Sequence, residues 1–229
     1  MVAFLVIVTI LAFIGMDALL QLARARRKLE IPINIRYPVS AFTLENVSLP
    51  AGIFLDSGHT WIGVDPSGRA RVGADDFVQR AVGRVDEIEL PTVGQEVRLG
   101  ETLFAIRQGN RKVELPAPLD GVVAAVNESV SRYPETIKED PYREGWVCSI
   151  VPKNLAKDLK RLSIAEEAWA WIQKEIARFQ EFITARPLQY ASIGQVLQDG
   201  GEVAGGALEF MDDESWSLFT RDFIRRESE

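Results

Sequence analysis

The sequence predicts a mainly β domain of the sandwich or barrel type, with a transmembrane helix before it and helices after it. Three observations carry this. Residues 52–152 hold short β-rich runs at close spacing with turn signals between them, which suits a sandwich or barrel rather than a βαβ sheet. Within them, residues 104–121 (FAIRQGNRKVELPAPLDG) read as two strands joined at Gly109-Asn110 and followed by an Ala-Pro-x-x-Gly corner. Gly and Asn tolerate the positive φ of a tight hairpin turn. After Pro152 the apolar period changes to that of a helix.

Taken in order, residues 2–16 form an unbroken apolar run, and with residues 18–23 they reach roughly the 20 residues a spanning helix needs. Residues 1–23 are therefore the expected membrane helix. Asp17 is its one charge, placed either at the headgroups or as a contact to another membrane helix. Arg24, Arg26, Arg27 and Lys28 follow at once. Basic residues favour the cytoplasmic side, so a single-pass protein of the inner membrane is expected, with its N-terminus outside and its bulk in the cytoplasm. Residues 24–48 read as a basic stretch and linker, punctuated by Pro32 and Pro38.

The β domain is assigned to residues 49–152. Its expected strands are 53–55, 60–64, 70–73, 84–90, 97–99, 102–108, 111–115, 122–127 and 146–151. Asp65-Pro66-Ser67-Gly68 is a turn. Residues 75–82 read as one short helix, capped by Asp75 or Asp76 and ended by Gly83. A helical extension spans 153–186. Ser163 and Glu166 have capping-box spacing. Ala165, Trp169, Ile172, Ile176, Phe179 and Ile183 make one apolar stripe, with Glu166, Glu167, Lys174, Glu175 and Glu181 on the other face. The final extension, 187–229, has a glycine-rich break at 200–206, then Asp212-Asp213-Glu214 opening a helix with Trp216, Phe219 and Phe223 at helical spacing. Trp169, Phe179, Trp216, Phe219 and Phe223 are core packing or, if exposed, a face for a protein partner.

The formal net charge of -7 argues against nonspecific nucleic-acid binding. One cysteine, Cys148, excludes an internal disulfide and a cysteine metal cluster, and its apolar context predicts a buried, inert thiol. The lone histidine, His59, excludes a multi-histidine metal site, so no metal is expected. No nucleotide, flavin, haem or iron-sulfur motif is present, and Gly200–Gly206 lacks the Lys-Ser/Thr of a phosphate loop.

A series of short motifs then recurs in order. Gly58-His59-Thr60-Trp61, Val72-Gly73, Asp76-Phe77, Glu89-Leu90-Pro91 with Val93-Gly94, Ala117-Pro118 with Gly121, Val126-Asn127-Glu128, and Asp140-Pro141-Tyr142 with Gly145-Trp146 together resemble the H protein family of the glycine cleavage system over about residues 49–152. The resemblance implies a barrel-sandwich hybrid of the lipoyl-domain type, and a structural role for His59. It also implies a lysine at the hairpin tip that carries lipoate on a swinging arm, in a Glu-Ser-x-Lys-like run. Here that run is Arg107-Gln108-Gly109-Asn110, so Asn110 stands where the lysine is expected. An amide nitrogen does not replace an amine as the acylated nucleophile. Lys112, two residues on, is the alternative modification site.

The expected protein is therefore not an enzyme and carries no cofactor. It is a non-lipoylated, membrane-anchored scaffold or subunit of a bacterial membrane complex, with other subunits as partners. The competing expectation is a lipoyl or acyl carrier of a glycine cleavage-like system, modified at Lys112. A third is an assembly factor that takes a client peptide along the hairpin edge.

Overall fold

The computed structural model describes residues 47–186 and 205–224. The expected membrane helix with Asp17, and the basic stretch after it, lie outside the described residues. Among the described residues no helix is long and apolar enough to cross a membrane.

Short strands with polar turns build two antiparallel sheets. β1 (Ile53–Leu55), β2 (Thr60–Val64) and β3 (Ala70–Ala74) form a meander. Then come β4 (Glu87–Glu89), β5 (Glu96–Val97), β6 (Thr102–Gln108), β7 (Arg111–Pro116), β8 (Gly121–Val126), β9 (Cys148–Pro152) and β10 (Ser163–Ile164). The larger sheet has seven strands in the order β10-β1-β2-β3-β9-β8-β5, and the smaller has three in the order β4-β6-β7. The mainly β, two-sheet expectation holds.

Helix α1 (Asp76–Val82) has the expected ends. Asp75 accepts from the Val78 amide at 3.0 Å, and Gly83 closes the helix at φ 84°. Short helices α2 (Glu128–Arg132), α3 (Thr136–Glu139) and α4 (Leu155–Leu159) have no counterpart in the sequence expectation. Each is too short to show a helical period.

Helix α5 (Ala165–Thr184) has the expected length of 20 residues but a different start. Ser163 and Ile164 pair with Leu55 and Phe54 of β1, and no side chain caps the helix. Strand pairing holds Ser163 extended in the sheet, so the capping box does not form. A 3-10 turn (Ala207–Phe210) and helix α6 (Asp213–Phe219) follow, and α6 runs into a π turn (Thr220–Ile224). As the acidic run predicts, Asp212 caps α6 by accepting from the Ser215 amide at 2.8 Å.

One hydrophobic cluster unites these parts. It joins Trp61, Phe77, Ile106 and Leu115 of the sheets and α1 with Phe179 of α5 and Phe219 of α6. The aromatic rings interlock: Phe179 lies 5.6 Å from Phe77 and 5.7 Å from Phe219, and Phe219 stacks on Phe223 at 5.1 Å. Phe179, Phe219, Phe223 and Trp216 are all buried. They are corrected from candidate partner contacts to internal packing, because the two apolar stripes cover each other. Trp169, 38% exposed, is the one of the five still open to a partner.

Candidate functional site

The β6–β7 hairpin pairs Gln108 with Arg111 across a two-residue turn. Gly109 takes φ 57°, while Asn110 is not among the residues with positive φ. A glycine at the first turn position is the requirement of a type II′ turn. Asn110 thus sits at the tip in a conformation open to any L residue.

The base of the tip is held on both sides. Gln108 Nε2 donates to the carbonyls of Val82 at 3.1 Å and Arg84 at 2.8 Å, and the Gly109 amide donates to Asp86 at 2.7 Å. On the other side Arg111 reaches the C-terminal segment. Its Nε meets Asp213 at 2.8 Å, and Nη2 donates to the Met211 carbonyl at 2.8 Å. Its guanidinium also lies over the Trp216 ring, 5.4 Å from the centroid. Trp216 Nε1 donates to the Lys112 carbonyl at 3.3 Å, which caps an outward-facing group of edge strand β7. The edge on which a client peptide was expected is therefore taken, at Lys112, by the chain's own segment.

Side-chain alternation puts Glu87, Glu89, Ala105, Arg107, Lys112 and Glu114 on one face of the small sheet. Lys112 Nζ lies 2.7 Å from Glu89 and 3.2 Å from Glu114, and Arg107 also pairs with Glu89. The Glu89 and Glu114 carboxylates raise the Lys112 pKa above its ordinary value, and Lys112 and Arg107 lower that of Glu89. The alternative modification site is thus a paired ammonium on a strand face, while the tip itself carries no amine.

The second polar constellation is buried. His59, at φ 61° in the β1–β2 turn, stacks on Phe77 at 4.3 Å. Its Nδ1 lies 2.8 Å from Asp75 and its Nε2 3.8 Å from Glu175. Burial alone lowers the imidazolium pKa, but Asp75 and Glu175 outweigh it and bring it up to about 9. Burial raises the Glu175 pKa, yet His59 and Arg178 win and hold it below the usual carboxylate range. Arg178 Nη1 binds Glu175 at 2.6 Å, and Nη2 donates to the Asp222 carbonyl at 3.0 Å.

Fully buried, His59 has no access to a substrate, and its role is structural. The expected solvated position of Glu175 is corrected: it lies on the buried side of α5. Cys148 is buried on β9, where burial pushes its pKa up to about 12 and leaves an inert thiol.

The sequence singled out Asn110 and Lys112, and the structure brings both to the hairpin. It missed Arg111, Gln108, Asp86 and Glu89, whose partners are distant in sequence.

A family profile described as "Glycine cleavage H-protein" matches residues 54–175. The chain is 40% identical over 116 residues to a Pyrococcus abyssi protein named "Probable glycine cleavage system H protein", covering 51% of this chain and 86% of that one. It is 41% identical over 104 residues to the glycine cleavage system H protein of Anaeromyxobacter dehalogenans, covering 45% of this chain and 80% of that one. The crystal structure of a glycine cleavage system H protein from Mycobacterium marinum aligns with a TM-score of 0.48 at 28% identity, over 55% of this chain and 99% of that one. The matched profile takes in every strand from β2 to β10, the hairpin and the first half of α5, more than half of the chain: this protein belongs to the glycine cleavage H-protein family.

Proposed function

We propose that this chain is a non-lipoylated H-protein-like subunit or scaffold of a bacterial membrane complex. On this reading its N-terminal helix holds it at the cytoplasmic face of the inner membrane. Its family is one of non-catalytic carriers, and the chain is not an enzyme. The observation that carries the proposal is the hairpin tip. Asn110 stands there, and the nearest amine, Lys112, is tied down by Glu89 and Glu114. A swinging arm needs an attachment point free to travel between active sites. Both features of this hairpin oppose that: an amide at the turn and a paired ammonium on the strand. The apolar N-terminal run with its basic flank supports the membrane placement.

A second reading has an observation of its own. The relatives are named as H proteins of the glycine cleavage system, which favours a lipoyl carrier modified at Lys112. Intact-mass measurement of the full chain, extracted in detergent from its native host, separates the two. The unmodified mass is expected, together with stoichiometric co-purifying chains. A lipoyl increment mapped to Lys112 would establish the carrier reading and discard the first.

A further inference from the structure

The amine of Lys112 sits under unusual restraint for a surface lysine. The register pairs Lys112 with Arg107, and pairs Ala105 with both Glu89 and Glu114. To meet Glu89, Lys112 must cross over Ala105 diagonally from β7 to β4. Ala105 is only 1% exposed although it lies on the charged face, as expected of a methyl group roofed by that ion pair. A larger residue at 105 would fill the space the ammonium uses. The other approach runs along an open cleft of ≈ 480 Å³ walled by Trp216, Leu218 and Arg221 of the C-terminal segment.

We propose that Glu89 and Glu114 hold the Lys112 amine out of acyl transfer, so that the hairpin's lysine is silenced by its neighbours. The inference deepens the non-carrier reading and rests on it. The chemistry is direct. Acylation requires the neutral amine: a proton leaves the ammonium for solvent, the nitrogen lone pair attacks the acyl carbonyl, and the amide bond forms as the activated leaving group departs and a second proton leaves the nitrogen for solvent. Two carboxylates bound to the ammonium oppose the first step. They also keep the nitrogen turned toward the sheet and away from an incoming acyl donor. The charged groups facing Lys112 are Glu89 on β4, Arg107 on β6, Glu114 on β7 and Arg221 on the π turn.

The test is site-resolved acetylation of the purified full chain with the N-hydroxysuccinimide ester of acetic acid at pH 8. Lys112 is scored by mass spectrometry against exposed Lys157. In the native chain Lys112 should lag behind Lys157. The pair Glu89→Gln and Glu114→Gln should raise its relative rate several-fold, because no carboxylate then holds the ammonium or turns its nitrogen toward the sheet. Arg107→Gln should slow it instead, because Glu89 then has Lys112 alone as its partner. These opposite responses separate an electrostatic restraint from a general loosening of the hairpin. A relative rate unchanged in the double variant, or a native Lys112 as reactive as Lys157, overturns the inference. The failures are distinguishable: a lipoyl increment on Lys112 sinks the non-carrier reading, whereas an unchanged labelling ratio on unmodified chain sinks this inference alone.

Discussion

Among the described residues, one cluster of opposite charges lies beneath α5 and another on the hairpin. Asp75, His59, Glu175 and Arg178 form the first, with His59 and Asp75 wholly out of solvent. Glu87, Arg107, Glu89, Lys112 and Glu114 form the second, all of them in contact with water. The ion types and distances are alike, yet the consequences differ. In the buried cluster His59, Asp75 and Glu175 have lost their hydration while Arg178 reaches in from solvent, so removing one buried partner strands the others. On the strand face water and salt replace a lost partner, and little stability depends on any one pair. The first cluster therefore fastens α5 to the sheets, and the second governs only the reactivity of one amine.

The contrast is sharpest under mutation of the buried side. Glu175→Ala should cost about 4 kcal/mol, as for other broken buried pairs, read from the denaturant midpoint of the full chain in detergent. A cost near zero would mean that the packing of Phe179 alone holds α5.

Next in size is the response to alkali. His59 ionises at about 9 when folded, against 6.5 as its ordinary value. A raised pKa means that its contribution is whole below pH 6.5 and is lost as the pH rises through 9. Stability should fall by about 3 kcal/mol over that window, and by less in a Glu175→Gln chain. A flat profile would show that the imidazole is folded in its neutral form.

The smallest effect belongs to the hairpin: Glu89→Gln should leave the denaturant midpoint within error, although it exposes Lys112 to acylation. A large loss of stability there would erase the distinction between the two clusters.

Sequence alone reaches unevenly into these two regions. The helix cap at Asp75 and the turn at Gly109-Asn110 were legible because each is decided within a few residues by backbone geometry. The apolar stripe of α5 was legible too, but Glu175 was set on its solvated face by residue type. Its position, three residues after Ile172 and four before Phe179, is that of the buried side, and spacing was the better guide than charge. Trp169 errs in the other direction, an apolar residue at the margin of the stripe. The hairpin's contacts depend on register and on long separations. Glu89 meets Lys112 across an intervening strand, and Arg111 finds Asp213 from 102 residues away. No local pattern encodes such pairs. Ser163 failed as a cap because a sheet edge more than a hundred residues earlier claimed its backbone.

At the end of α1 the C-terminal segment is met backbone to backbone. Gly83 and Gly206 meet so closely that a Cβ on Gly83 would come within 2.7 Å of the Gly206 Cα, and the Gly206 amide donates to the Arg80 carbonyl at 2.5 Å. A methyl group on Gly83 would press on the Gly206 backbone and strain the seat of the C-terminal segment. Glycine at both positions is therefore the condition on which the C-terminal segment closes against α1.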